Sequence, residues 1–431
     1  MAKAAAAAWL LGSAGVTRAS RKGVVHADGR NWRDDQGLFY PLGGTLMWAL
    51  HGWMADRSRY QDNVRYLAKF GFDEQRILGE VHWTNPDGST LFDIRPDDPG
   101  YKTALAELID WSYGCGIRTA VTIIGGGTGL DPIWIAEQVA DVIGPRQAKV
   151  IYIEMANEAF QNLPNFNVLC EMAKVFKRAG IQNLLALSSA EGGLLSWADV
   201  MAGRMVPAGV ADIMTIHPAR DPGDDGWRNV RQAWDVKDMP YLVAFNEPVG
   251  PRSSVAECTD PLQLAMFRMT GIVCGGGEFV LHNGAGVAGI VDPAHNRPAN
   301  LWEVPGIDAI MRAVRSVDAA LPLRASDGQK WNTGWPGCPF VADAFWPDGA
   351  DHGVNRAYVV EIPGGFLCPI DGIKDHATFF TPRSCTLDLW DVIENRVVQT
   401  LVCPAGGNTT ITPRSLDHAG YGAYLARGTF L

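Results

Sequence analysis

Eight short apolar segments, most separated by stretches of helical periodicity, constrain this chain more than any other feature. They are FYPLGG (39 to 44), FDEQRIL (72 to 78), RTAVTIIG (118 to 125), VIYIEMANE (150 to 158), LLALSS (184 to 189), DIMTIH (212 to 217), YLVAFNE (241 to 247) and EFVLHN (278 to 283). Such runs alternating with helices suit a parallel sheet covered on both faces, and eight strands is the number that closes into a barrel. Among the helices, SRYQDNVRYLAKFG begins at Ser58, read as an N-cap, and ends at Gly71. YKTALAELIDWSYGCG and PNFNVLCEMAKVFKRAG repeat the pattern. The expected fold class is α/β, a (β/α)8 TIM barrel over residues 24–320. Its first residues carry turn chemistry at Asp28-Gly29 and Gln36-Gly37, which predicts a hairpin plugging the lower end.

Past Leu321 the helices cease. NRAYVVEI, HATFFTP, CTLDLWDVI, RVVQTLVC, NTTITP and YGAYLARG read as strands, so residues 321–431 are expected to form a C-terminal all-β sandwich. No low-complexity linker precedes it, which favours a module packed on the barrel. Residues 1–23 stand apart. Lys3, the stretch AAAAAWLLGSAGV and Thr17-Arg18-Ala19 have the layout of a weak signal peptide. The preferred reading is an apolar arm docked on the barrel or on another copy, giving a homo-oligomer or larger assembly.

The balance of charges removes whole classes of partner. With a net charge of -10 and only Arg18, Arg21 and Lys22 clustered, the chain is not expected to bind nucleic acid or anionic membrane. No apolar run approaches the roughly 20 residues of a membrane span. The eight cysteines (115, 170, 258, 274, 338, 368, 385 and 403) form no CxxC pair. Buried free thiols are expected, although the last four lie close enough in the β-rich region to pair in an exported protein. His51, His82, His217, His282 and His295 lack any metal-ligand spacing. The glycine run Gly125 to Gly129 has no following Gly-Lys-Ser/Thr, so it is not read as a phosphate cradle. No metal and no cofactor are expected.

Chemistry in such a barrel sits at the C-terminal ends of the strands. Two strands end in Asn-Glu: the fourth at Asn157-Glu158 and the seventh at Asn246-Glu247. These strands face each other across the mouth, so the two carboxyls flank anything bound between them. Glycoside cleavage needs that arrangement, with one carboxyl protonating the leaving oxygen while the other attacks the anomeric carbon or activates water. The alternative is that each Glu caps the next helix, which the coincidence of two Asn-Glu pairs disfavours.

On these residues the chain resembles the clan A retaining glycoside hydrolases, the cellulase-like and mannanase-like barrels, without matching an individual family. The resemblance covers residues 24–320 and implies Glu158 as acid/base and Glu247 as nucleophile. It further implies that Arg76 holds the nucleophile ionised, that Asn157 bonds a sugar 2-hydroxyl and that His217 supports the nucleophile. Asn246-Glu247-Pro248 by itself looks more like an acid/base motif. Glu247 is nevertheless assigned as nucleophile, because the 89 residues after Glu158 accommodate strands five and six. The sequence departs from the clan at strand eight, where His282 and Asn283 replace a stacking Trp, and at strand six, where Pro218 follows His217.

Fifteen tryptophans favour a carbohydrate substrate, because a flat indole stacks on sugar rings. Trp48, His82, Trp83, His282, Asn283 and Trp302 are the expected substrate-binding residues, with Glu80, Trp53 and Trp134 as further candidates near strand ends. The function implied is retaining hydrolysis of an O-glycosidic bond in a poly- or oligosaccharide, in an extracellular or virion-associated setting rather than the cytoplasm. The rival from another class is a non-catalytic glycan-binding or receptor-binding protein, for example a phage virion component. A barrel lyase ranks behind both, for want of a base outside the opposed pair.

Overall fold

The computed structural model describes residues 20–84, 90–159, 166–188, 206–218, 227–248, 250–251, 257–289, 299–332, 339–345 and 358–431. Of the arm expected over residues 1–23, residues 1–19 lie outside the described ones. Three short antiparallel strands open the described chain: β1 (His26–Asp28), β2 (Asn31–Asp34) and β3 (Gly37–Phe39). Their turns fall at Gly29 and Gly37, both with positive φ, as the turn chemistry predicts. Val25, Trp32 and Phe39 pack against Ala120, Tyr152, Ala186 and Ala244 on the barrel strands, so this sheet is the expected plug. It is latched by Asp34, which accepts from Arg21 at 2.7 Å and from Arg118 at 2.8 Å.

All eight expected barrel strands are present: β4 (Leu42–Thr45), β5 (Glu74–Thr84), β7 (Arg118–Ile124), β8 (Val150–Ala156), β9 (Leu184–Ser188), β10 (Ile213–Ile216), β11 (Leu242–Phe245) and β12 (Glu278–Leu281). Parallel ladders run in the order β10, β11, β12, β4, β5, β7, β8, β9. The seam between β9 and β10 is held by Asp212, whose N–H donates to the Leu185 carbonyl at 2.8 Å. Its carboxylate accepts from the Leu185 N–H at 3.0 Å and pairs with Lys177 at 2.8 Å. Apart from the outer end of β5 the barrel strands are buried along their length, the burial expected of a sheet covered on both faces.

The covering helices include Arg57–Lys69, Tyr101–Gly114, Pro132–Ile143, Phe166–Arg178, Pro261–Cys274 and Ile307–Ala320. Helix Arg57–Lys69 is capped by Asp56, accepting from the Arg59 N–H, and not by Ser58 as the sequence suggests. Both residue types cap, and the helix starts one residue before Ser58. Within the barrel region β6 (Thr90–Ile94) was not anticipated: it pairs antiparallel with the end of β5, so a two-stranded ribbon rises from the barrel mouth.

The C-terminal region is the expected sandwich. It comprises β13 (Gln329–Asn332), β14 (Val341–Phe345), β15 (Tyr358–Ile362), β16 (Gly365–Ile373), β17 (His376–Phe380), β18 (Cys385–Asp391), β19 (Arg396–Cys403), β20 (Asn408–Ile411) and β21 (Gly422–Phe430). A six-stranded sheet, ordered β13, β15, β16, β21, β18, β19, faces a three-stranded one, β14, β17, β20, over a core including Phe366, Phe379, Leu387 and Ile411. The sandwich docks on the barrel through Trp234, stacked on Tyr358 with ring centroids 4.2 Å apart, and Asp417, which accepts from Trp227 Nε1 and Gln263 Nε2, both at 2.9 Å. The described cysteines are free thiols. Cys385 and Cys403 stand opposite each other in the β18–β19 ladder, and Cys338 lies outside the described residues.

Candidate active site

Side chains alternate along a strand, so inward positions recur every second residue. That parity brings Arg76 on β5, Thr122 on β7, Glu154 on β8, Thr215 on β10 and Asn246 after β11 into one buried polar layer. Arg76 is its hub. Its Nε donates to Thr122 Oγ1 at 3.0 Å, and one terminal nitrogen donates to Glu154 at 2.7 Å and Asn157 Oδ1 at 2.8 Å. The other reaches Glu247 Oε1 at 2.6 Å. Glu154 also accepts from Thr122 at 2.7 Å, Thr215 at 2.6 Å and Asn246 at 3.0 Å.

This network fixes charge as well as position. Burial alone would push the Arg76 guanidinium down, yet the adjacent Glu154 and Glu247 charges outweigh it and hold the group further up. Burial likewise works to raise Glu154, but Arg76, His217 and the Thr215 hydroxyl hold it below the ordinary carboxylate value. Both groups are therefore ionised at the floor of the mouth.

Above that floor stand Glu158, His217 and Glu247. His217 Nδ1 lies 3.1 Å from Glu158 Oε1 and 3.4 Å from Glu247 Oε2. One oxygen of each carboxylate and the imidazole nitrogen all lie within 4.8 Å of one another. Glu247 is buried, whereas the Glu158 side chain keeps 24% exposure. Glu158 has φ of 43°, a left-handed conformation rare for a residue with a side chain and one that costs about 1–3 kcal/mol. The neighbouring turn is tied down by the Ala159 N–H, which donates to Ser188 Oγ at 3.0 Å. Strain of this kind is tolerated where the surroundings over-determine the backbone, and here it presents a carboxyl at the mouth.

The structure thus brings together Glu158, Glu247, Arg76, Asn157 and His217. The proposed sugar-binding positions divide. His82 and Trp83 stand on the β5–β6 ribbon, with His82 Nδ1 3.3 Å from Asp93 and the half-buried Trp83 ring 5.2 Å from Phe92. His282 is buried beside Thr45, 3.4 Å from its hydroxyl. Trp48, expected to stack on sugar, is a core residue: it is 2% exposed, lies under the Arg59 guanidinium at 4.0 Å and donates to the Ala285 carbonyl at 2.9 Å. Trp53 is likewise buried, edge-on to Tyr60.

Asn283 serves as a cap, accepting from the Gly286 N–H at 2.8 Å, so its side-chain oxygen is already engaged. Trp302 sits edge-on to Tyr66 of helix Arg57–Lys69, on the outer helical layer rather than in the carboxylate cluster. Glu80 is occupied too: it accepts from the N–H groups of Gly126 and Thr128, at 3.0 and 3.1 Å, and from the Thr128 hydroxyl. The glycine run accordingly wraps an internal carboxylate. Glu154, Thr122 and Thr215 were missed by the sequence reading. The signal was available in the charge inside the apolar VIYIEMANE, an even number of residues before Glu158 and so on the same face.

No family model matches the sequence, and no curated protein resembles it in sequence. Solved structures do resemble it in three dimensions. A glycoside hydrolase family 5 structure from Bacteroides vulgatus superposes with a TM-score of 0.61 at 11% identity, covering 95% of this chain and 94% of that one. This chain has the fold of those barrels. A second structure, named as a glycoside hydrolase, gives 0.59 at 11% identity over 95% and 97% of the two chains. A family 27 β-L-arabinopyranosidase from Geobacillus stearothermophilus, in complex with arabinose, gives 0.50 at 9% identity over 91% and 96%. Coverage of this extent takes in the sandwich together with the barrel.

Proposed function

We propose that this chain is a glycoside hydrolase that cleaves an O-glycosidic bond with retention of configuration. One observation carries the reading: oxygens of Glu158 and Glu247 approach within 4.8 Å across the mouth. A double displacement needs carboxyls roughly 5 Å apart, whereas an inverting pair stands about 6.5 Å or more apart to admit water. The glycoside hydrolases of similar fold support the reaction class.

In this mechanism Glu247 Oε2 attacks the anomeric carbon while Oε1 stays bonded to Arg76, which keeps the nucleophile ionised. Glu158, the more exposed carboxyl, protonates the departing oxygen and then takes a proton from the water that releases the sugar. His217 touches both carboxylates and holds their separation. Asn157, fixed by Arg76, is placed to bond the sugar beside the reacting carbon. His82 and Trp83 on the ribbon, with His282 just past the end of β12, contact the rest of a carbohydrate chain.

The test is a screen of aryl glycosides and oligosaccharides, with product configuration read by proton NMR at early times. Retention is expected, and Glu247→Gln should bind substrate without turnover. An inverted first product would overturn the mechanism. Glycan binding with no bond cleavage by the wild-type chain would instead establish the non-catalytic binder.

A further inference from the structure

We propose that Glu158, His217 and Glu247 together form a site for a zinc-like divalent cation, and that its occupation blocks the barrel mouth. Binding follows from the geometry alone; only the blocking of turnover rests on the reading of this site as a glycosidase.

The spacing of the ligand atoms is the first argument. A tetrahedral zinc ion with nitrogen and oxygen ligands at about 2.0–2.1 Å sets its ligands about 3.3 Å apart. The two edges from His217 Nδ1, 3.1 Å to Glu158 and 3.4 Å to Glu247, already have that length. The third edge, within 4.8 Å, closes by a small swing of the partly exposed Glu158 as the cation takes the place of its hydrogen bond to His217. Glu247 supplies Oε2 while Oε1 remains on Arg76, so neither interaction displaces the other. The fourth coordination position faces the mouth and takes water.

Charge is the second argument. Glu154 and Glu247 share the single guanidinium of Arg76, and Glu158 adds a third carboxylate beside Glu247 and His217. A divalent cation balances the two negative charges left over when all three are ionised. The donor set, one imidazole and two carboxylates, selects zinc or copper over magnesium or calcium, which prefer larger all-oxygen shells. Among the described residues His217 Nε2 is buried without a partner, so none of them gives it the outer support that tightens structural zinc sites. Binding is therefore reversible and readily stripped by a chelator. No metal spacing was legible in the sequence because the three ligands come from the ends of three different strands.

Chelator-treated full-length protein is titrated with ZnCl2 by calorimetry, with MgCl2 as comparison. A Cys385→Ser background removes the facing thiol pair as a competing site. One zinc per chain and no magnesium binding are expected. His217→Ala and Glu158→Gln should each weaken zinc at least tenfold while keeping the wild-type circular dichroism; the second covers the possibility that the first fails to fold. Zinc affinity unchanged in both variants, or no zinc uptake, overturns the proposal. Zinc should also inhibit hydrolysis competitively, with EDTA restoring it, and undiminished turnover at saturating zinc overturns the blocking role. Zinc uptake by a chain that cleaves no glycan would sink the hydrolase reading and leave the metal site standing.

Discussion

At the scale of the residue, Arg76 decides what the mouth can do. It is fully buried and ion-paired to both Glu154 and Glu247. Removing one member of a buried pair strands the other charge, at a cost of about 3–5 kcal/mol, whereas replacing both by apolar groups is often close to neutral. Arg76→Met should therefore lower unfolding stability by that amount and abolish turnover. Arg76→Met with Glu154→Met should recover part of the stability, Glu247 still lacking the guanidinium, and none of the activity. Denaturant unfolding of the three proteins checks this; a double variant no more stable than the single would mean that Glu154 is not the stranded charge.

The same residues mark how far the sequence was legible. Glu158 and Glu247 could be placed because a residue at a strand's C-terminal end must face the mouth, and Arg76, Asn157 and His217 followed from the resemblance to the clan. Trp48, Asn283 and Trp302 lie close to strand ends in sequence too, but in loops and short helices. There the direction of a side chain is set by tertiary packing, and the strand parity that turns Arg76 inward has no counterpart.

At the scale of the element, periodicity found all eight barrel strands and failed where strands carry turn residues. β16 reads GFLCPIDGI, with Pro369 and two glycines, and is not among the strands expected from the sequence. The structure accommodates it because β15 pairs with Gly365–Leu367, so among the described residues Pro369 has β21 alone as ladder neighbour and needs no second ladder bond. β6 was missed because its partner is the overhanging end of β5, an extension no barrel pattern requires. Beside that ribbon, Glu80 organises the glycine loop by accepting from the Gly126 and Thr128 N–H groups. Glu80→Gln would turn an amide NH2 toward a backbone N–H, leaving a donor unsatisfied at about 1–3 kcal/mol. Faster hydrogen exchange at Gly126 and Thr128 is expected, with the rest of the barrel unchanged. Unaltered protection at those two amides would mean that the loop holds its shape without the carboxylate.

At the scale of the whole molecule, the barrel is filled in layers, and one layer carries an electrostatic cost. Between the plug and the Arg76 layer lie Glu74 and Glu278, both completely buried and interacting with each other. They flank Gly43, which pairs with Glu74 and where even a Cβ would stand 3.2 Å from the Glu74 side chain. Burial first, and for Glu74 the neighbouring Glu278 next, pushes its carboxyl well above the ordinary range; burial raises Glu278 likewise. The folded state therefore holds protons that the unfolded chain has released. A folded-state pKa above the unfolded value gives stability that is fully present below the unfolded pKa, near 4.5, and is lost as pH rises toward the folded one. The loss per carboxyl is at most about 1.4 kcal/mol per pH unit. Glu278→Gln removes one such proton requirement and eases the other. Whatever constant offset the amide introduces, the thermal midpoint of the variant relative to wild type should climb steadily from pH 5 to pH 8. A difference that stays flat across that range would mean that the pair ionises inside the barrel without penalty. The shared protons would then have no part in setting the pH range over which the mouth above them is held in shape.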